Sequence, residues 1–363
     1  VAFTWVEFIE STIYLNHYWF MTLAGATMLV LPVCARWSLD TLRKGPQRVP
    51  RLAVWILRFQ VATVYVFAGI AKLNGDWLNG LPLGLWLPAS SGLWLVGDAL
   101  TWRSTALVAS WAGALFDCTV VGFLLWKRTR IFAWLVVVGF HVTTWVLLPV
   151  IGVFPALMIP MSTIMFDPGW PSELRDRLRR FTTTGHAPGP ELAVAPLPVA
   201  QSPIRQRGRT RWVTAAILLW AGTQVALPLR HHLYPGDHRW SGEAFRFGWN
   251  VMLVEKAGDV VFTVTDPATG RSWRDDARSI YTPQQWRVMS TEPELIRQAA
   301  HEVAVEAGST PAHHLEVRAD ARMSLNGRPS QRLIDPEVDL AAEPWRLGPQ
   351  PWILEVPRTQ RPR

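Results

Sequence analysis

Six apolar stretches, each long enough or nearly so to cover the roughly 30 Å of a bilayer core, run through the first 229 positions. They are His17–Ala35, Ala53–Ile70, Thr105–Trp126, Ile131–Val150, Ile151–Phe166 and Trp212–Leu229. The fifth is short and carries Pro155 and Pro160, so it is expected to be kinked or to re-enter with its neighbour. Val1–Ile13 reads as the end of a further span, and the Trp-rich stretch Trp77–Leu95 as a segment lying in the interface. From Arg230 onward the pattern turns polar. Alternation predicts strands over Phe245–Val254 and Val260–Thr265, closed by a turn at 266–270. Thr291 and Glu294 have capping-box spacing for a helix running to about Gly308. His314–Val317 and Arg322–Leu325 predict two more strands, with Asn326-Gly327 as a hairpin turn. The expected fold class is a membrane α-helical bundle of about six or more spans, residues 1–229, followed by a water-facing, mostly-β (α+β) domain, residues 230–363. His186–Gln206, rich in Pro, Ala and Gly, is expected to be a flexible linker within the wider segment 182–211.

Composition agrees with a membrane chain. Hydrophobic residues fill 49% of 363 positions, with 21 Trp and 15 Phe, and the mean hydropathy is positive, whereas soluble domains of this size usually score below zero. A net charge of +8 in a soluble chain would suggest nucleic acid. Here the basic residues cluster between apolar runs, which points to the inner membrane face and away from a nucleic-acid partner. Arg36–Arg51, Lys127–Arg130 and the segment from Arg175 to Arg211 are rich in Arg and Lys, whereas Ala71–Ser104 is nearly neutral. The positive-inside rule then puts the basic loops in the cytoplasm and the C-terminal domain outside. The scarcity of Lys beside Arg suggests a GC-rich bacterial genome, and hence a bacterial inner membrane. Cys34 and Cys118 fall inside apolar runs and suggest neither a disulfide framework nor a zinc site. The chain shows no signal peptide and opens on Val1 in an apolar stretch. A missing upstream segment, or a start at a non-Met codon, is therefore expected.

Few residues in the apolar runs can carry chemistry. Leu57–Trp77 places Arg58, Gln60 and Lys72 in or beside one span, and polar groups in a membrane are functional candidates by default. On a helix Lys72, Ala68, Tyr65 and Val61 share a face, with Arg58 close to it. In an apolar site a Lys can act as a neutral base, whereas an Arg stays protonated. The plainer alternative is a Lys snorkelling at a helix end, paired with Asp76 one turn on. Asn16 and His17 stand at the mouth of a span, where His17 either serves an anion or a proton, or anchors the interface. His141 lies mid-span and faces a polar cavity, a haem or a neighbouring helix. Asp117 is a further in-membrane carboxylate with the same ambiguity. His231, His232, Asp237 and His238 are a weak metal cluster, more simply read as solvated. No Gly-rich phosphate loop, nucleophile elbow or Cys-x-x-Cys is present.

The stretch Tyr65–Trp77, reading YVFAGIAKLNGDW, resembles the signature of the vitamin K-dependent gamma-carboxylase family, which shares its membrane part with the wider HTTM group. Asn16-His17, Phe140-His141, Ile151–Pro155 and Phe166–Pro171 resemble further family segments in the same order. So do Phe247–Met252, Ser324–Arg328 and Gln331–Pro336 in the second domain. The resemblance implies an enzyme in which Lys72 takes a proton from reduced vitamin K, a menaquinol-like hydroquinone. Oxygen adds, the resulting alkoxide removes a γ-proton from a Glu side chain, the carbanion takes up CO2, and the quinone leaves as its epoxide. His17, with Asn16, is implied near the anion, and no metal is needed. Arg58, Gln60, Tyr65, His141 and Trp249 are candidates to hold the quinone, and Tyr281 and Gln284 fall in the stretch implied to bind Glu. The implied partners are a lipid quinol, a Glu-containing peptide or protein, and the lipid bilayer. Animal members carry Lys-Lys where this chain has Ala71-Lys72, which leaves Lys72 as the candidate base. The competing readings are quinol epoxidation without carboxylation, a non-enzymatic HTTM transporter or partner protein, and a haem electron carrier.

Overall fold

The computed structural model describes residues 2–35, 38–45, 47–148, 151–182 and 207–356. The expected linker, apart from its edges, lies outside the described residues. In chain order the helices of the first part are α1 (Ala2–Ile9), α2 (Asn16–Val30), α3 (Leu39–Lys44), α4 (Arg51–Lys72), α5 (Gly75–Leu78), α6 (Leu83–Trp86), α7 (Arg103–Leu125), α8 (Arg130–Leu147), α9 (Phe154–Ser162), α10 (Trp170–Thr182) and α11 (Arg207–Leu229). The second part holds α12 (His238–Ser241), β1 (Lys256–Thr265), β2 (Ser272–Asp275), α13 (Pro283–Met289), α14 (Pro293–Glu306), β3 (Glu316–Leu325) and β4 (Gln331–Arg332).

Four helices, α4, α7, α8 and α11, are long and apolar enough to cross a membrane. A fifth crossing is counted if Asn16–Val30 and Val33–Arg43 form one bent span. The expected six or more spans are not found among the described residues. The run Ile151–Phe166 falls short because α9 starts only at Phe154, with Pro155 in its first turn, and Pro160 removes a backbone donor within it. What remains is the nine-residue α9 and a short 3-10 turn, Thr163–Met165. Arg58 donates to the carbonyls of Ile164 and Phe166 at 3.0 and 2.9 Å, which satisfies the acceptors left bare where that helix stops. The Trp-rich stretch Trp77–Leu95 is not one continuous helix. It folds into α5, α6 and 3-10 turns, with Trp77 buried and Trp94 exposed.

The centre of the bundle is α4, packed chiefly on α7. A Cβ added at Gly69 would lie 2.8 Å from the backbone nitrogen of Cys118, closer than packed atoms allow. A glycine is required where these helix backbones meet. Gln60 and Gln224 exchange side-chain amide bonds of 2.9 and 2.8 Å, which fastens α4 to α11 in the apolar interior. Gln60 thus joins two helices rather than facing a ligand cavity.

The second part is an α+β unit with a four-stranded antiparallel sheet of order β2-β1-β3-β4. Strands β1 and β3 pair along all ten residues, from Lys256 opposite Leu325 to Thr265 opposite Glu316. One sheet face, carrying Val260, Phe262, Val264, Val317, Ala319, Ala321 and Met323, is buried with Ile296, Ala299, Ala300 and Val303 of α14. The expected strand Val260–Thr265 lies within β1. The two strands expected at 314–317 and 322–325 are one strand, β3. Asn326 and Gly327, with φ of 52° and 74°, make a left-handed turn at the start of the connection from β3 to β4. The capping box expected at Thr291 and Glu294 does not form, because Glu292 is the N-cap of α14. A capping box forms instead at Thr282 and Gln285, opening α13.

Phe245–Val254 is not a strand. It is a series of turns that holds Phe247, Trp249 and Met252 at positive φ. Its apolar alternation reflects insertion into the helical bundle, where Trp249 is 1% exposed and packs edge-on to Phe20. This plug and the Asp76 cluster fix the sheet domain to the end of α4 that carries Lys72. Asp76 accepts from Asn326 at 3.0 Å and is also bonded to Arg328 and Arg239 of the second domain. Helix ends with Arg51, Lys127 and Arg130 lie at the opposite end of the bundle.

Candidate active site

A mostly apolar cavity of about 530 Å³ lies between α4, α7 and α8. Its wall includes Val64, Tyr65, Ala68 and Lys72 of α4, which are the one-face positions read from the sequence. Phe116 and Asp117 come from α7, Phe140 and His141 from α8, and Trp77 and Leu83 from the connecting segment. Val251 and Met252 of the plug close the end nearest the second domain. A volume in this range suits a small-molecule site.

Lys72 Nζ donates to Asp117 Oδ2 at 2.7 Å, and both side chains are almost fully buried. Longer contacts reach the carbonyls of Val251 at 3.4 Å and Ala68 at 3.5 Å. The Nζ also stands 5.0 Å from the Trp77 ring, whose Nε1 is held by the Ser110 carbonyl at 2.7 Å. Lys72 is therefore neither a snorkelling residue nor the partner of Asp76. Snorkelling fails because the plug and Trp77 cover the helix end. Asp76 is taken by Arg328, Asn326 and Arg239, and faces away into the second domain.

About two turns along α4, the Tyr65 hydroxyl and His141 Nε2 are bonded at 2.9 Å. His141 Nδ1 is buried and has no partner. Phe116 and Phe140 stack beside them with centroids 4.0 Å apart. The cavity thus has a charged pair toward one end, a neutral hydrogen-bonding pair toward the other, and aromatic faces between. That pattern suits a flat aromatic molecule with polar atoms on opposite edges. Among the described residues no group of three His, Cys, Asp or Glu could hold a metal ion. The rings of His231, His232 and His238 lie tilted against one another instead, with centroids 4.0 and 4.3 Å apart.

Residues 1–170 match the HTTM domain, and residues 209–359 match the lumenal domain of vitamin K-dependent gamma-carboxylase. The chain belongs to the vitamin K-dependent gamma-carboxylase family. No solved structure matches it. For a gamma-carboxylase family member the geometry is informative, because both matched parts build one site. The HTTM part supplies Lys72, Asp117, Tyr65 and His141, and the lumenal part supplies the plug that closes over them.

The remaining candidates lie elsewhere. His17 is buried against Tyr18 and Phe154, with centroids at 4.6 and 6.1 Å, and does not line the cavity. Phe154 stands between it and His141, 6.2 Å from the latter. Asn16 donates to the carbonyl of Asn250 at 3.2 Å and so holds the plug against α2. Trp249 packs in the core behind the cavity wall. Arg58 sits at the far end of α4. Tyr281 is bonded to Glu302 at 2.6 Å, Gln284 is exposed, and neither lines the cavity. The cavity-lining residue that the sequence reading left undecided is Asp117. It is the only Asp or Glu in the six apolar runs. A buried Lys needs a counter-charge, so that uniqueness was an available signal.

Proposed function

We propose that this chain carries out gamma-carboxylase chemistry on a lipid hydroquinone, with Lys72 as the base that takes the quinol proton. The observation that carries this reading is the buried Lys72–Asp117 pair set in the wall of an apolar cavity. When bound, the quinol and O2 supply both the oxidation and a base strong enough to take a γ-proton from Glu. Overall, hydroquinone, O2, Glu and CO2 give epoxide, γ-carboxyglutamate and water. The residues present fit such a ring: an unpartnered buried nitrogen on His141, aromatic faces at Phe116 and Phe140, and a charged pair within the same wall.

Each side chain has a task in this reading. The proton shared by Lys72 and Asp117 moves to the carboxylate, which frees the amine to accept the quinol proton. In a water-poor site the resulting ammonium then stabilises the anion beside it. The Tyr65–His141 pair binds the opposite edge of the ring. Trp77 and the plug exclude water, which would quench a strong base. His17 and Asn16 act indirectly, through Phe154 and through the plug. Positive-inside loop charge supports a C-terminal domain outside the cytoplasm.

A second reading, quinol epoxidation without carboxylation, is favoured by one observation. Tyr281 and Gln284, the residues implied to bind Glu, stand away from the cavity. One assay separates the two. Purified protein is given vitamin K hydroquinone in air, a Glu peptide and labelled bicarbonate, beside Lys72→Ala and Lys72→Arg. Epoxide that depends on Lys72 supports the base assignment, and label in the peptide supports carboxylation. A folded wild type that makes no epoxide would refute both.

A further inference from the structure

Because α9 is short, the bundle is left unfilled at the end that carries Arg51, Lys127 and Arg130. An apolar groove of about 340 Å³ opens there. Its walls include Met28 of α2, Val54 and Leu57 of α4, Met161 of α9 and Ile164 of the 3-10 turn. Trp170, the first residue of α10, also lines it. All six are at least half-buried rather than sealed in, so the groove opens to the outside of the bundle. Helix α10 continues from it. Trp170, Leu174 and Leu178 recur every fourth residue and make one apolar stripe. Leu174 and Leu178 are 46% and 56% exposed. At about 3.6 residues per turn, Arg177 and Arg175 fall on the two sides of that stripe. Nearby carboxylates are already answered: Asp167 by Lys127 and Arg130 at 3.6 and 3.3 Å, and Asp176 by Arg175 at 3.2 Å. Arg51 and Arg177 are exposed, and among the described residues neither makes an ion pair within 4 Å.

We propose that this groove holds an acyl chain of an anionic phospholipid whose headgroup meets Arg51 and Arg177, while α10 lies in the membrane surface on its apolar stripe. The argument is depth, pattern and charge. Val54 and Leu57 lie about 5 and 9 Å below Arg51 along α4, so an apolar groove runs beneath a cation at headgroup level. An apolar stripe flanked by arginines is the pattern of a helix lying in the interface. Basic side chains there attract an anionic leaflet, and the uncompensated charges of Arg51 and Arg177 distinguish an anionic lipid from a zwitterionic one. The bound chain takes the place that a full-length fifth helix would have filled. The site is separate from the Lys72 cavity, and the inference stands apart from the quinol reading.

Photolabelling tests this without turnover. The full chain in lipid nanodiscs is photolysed with phosphatidylglycerol carrying a diazirine in one acyl chain, and separately with phosphatidylcholine carrying the same chain. The expected result is phosphatidylglycerol label within residues 54–57 or 161–170, exceeding the phosphatidylcholine label by about tenfold or more. Excess unlabelled phosphatidylglycerol should remove it, and inorganic phosphate should not. Equal labelling by the two lipids overturns the proposal, since any lipid-facing surface would show it. Label confined to other residues overturns it as well, and displacement by inorganic phosphate overturns the lipid assignment. Two variants divide the site. Met161→Trp fills the groove and should cut the label about tenfold or more, and an unchanged label in folded protein overturns the chain assignment. Arg51→Gln/Arg177→Gln changes only exposed side chains and should lower the preference for phosphatidylglycerol by about tenfold. An unchanged preference overturns the headgroup assignment. Val108→Trp, on an exposed part of α7 outside the groove, should change neither reading.

Discussion

The Lys72 Nζ faces three acceptors, the Asp117 carboxylate and the carbonyls of Ala68 and Val251, which match the three hydrogens of an ammonium. Removing Asp117 leaves a buried charge with only two long contacts, at a cost of about 3–5 kcal/mol. Asp117→Asn is therefore expected to unfold at lower temperature and to lose about 100-fold or more in epoxide formation. The double variant Lys72→Met/Asp117→Leu should recover stability without activity. Thermal unfolding and the epoxide assay, run side by side, check both; wild-type turnover in Asp117→Asn would remove it from the mechanism. Tyr65→Phe deletes the bond to His141 Nε2 and leaves both imidazole nitrogens buried without a partner. A loss of about 1–3 kcal/mol follows, read as a KM for quinol raised about fivefold or more with a smaller change in kcat. An equal fall in kcat with unchanged KM would instead place Tyr65 in the chemical step.

At the scale of elements, the Lys72–Asp117 pair exists because α4 and α7 cross closely at Gly69. Gly-to-Ala in a helix ordinarily stabilises by about 1 kcal/mol. Gly69→Ala should do the opposite, since its Cβ meets the Cys118 backbone and pushes the helices apart at the turn before Lys72. Gly122→Ala, where a Cβ meets nothing within 4 Å, should be neutral or mildly stabilising. Melting temperature and epoxide rate for the two variants give the comparison, and equal behaviour would dismiss the crossing as the cause. Element identity was legible where the period was long and local, as in α4, α7, α8, β1 and the Asn326-Gly327 turn. It was misread at Phe245–Val254, whose alternation came from contacts with the bundle. Left-handed backbone at Phe247, Trp249 and Met252 costs about 1–2 kcal/mol per residue, and only the surrounding packing sustains it. Local pattern carries no trace of that support.

In the whole molecule the sheet domain is tied to the bundle by Asp76, at 3% exposure, with Arg328, Asn326 and Arg239. Arg328→Gln takes away one cation from a buried carboxylate. It is expected to loosen the plug and lower epoxide formation while leaving the α4–α7 pair intact. Faster hydrogen exchange at 245–252 would report the loosening, and unchanged exchange would refute it. A second dependence lies at the junction. Burial, then the neighbouring His231, lowers the pKa of His238 from 6.5 to about 4. Below pH 6.5 the unfolded chain binds a proton that the folded domain refuses. The stability contributed by a neutral His238 is thus complete above pH 6.5 and falls as pH drops toward 4, by up to about 3 kcal/mol. Melting curves from pH 7 to 4.5 should show this fall, and His238→Gln should flatten it.

The sequence alone determined the membrane character of the first part, the polar second part, Lys72 as the candidate base and the family resemblance. These depend on local composition, helical period and short contiguous motifs, which a linear reading preserves. Only the tertiary structure decided that Asp117 pairs with Lys72, that Gln60 meets Gln224, and that Asp76 belongs to the second domain's arginines. It also decided that Asn16 holds a plug and that His17 stands behind Phe154. Each is a choice of partner across 45 or more residues of chain, as from Lys72 to Asp117 or Asn16 to Asn250. Such choices are set by which backbones approach closely enough to satisfy buried polar groups. A one-dimensional pattern states that a buried charge needs a partner, and only the packed fold selects which one.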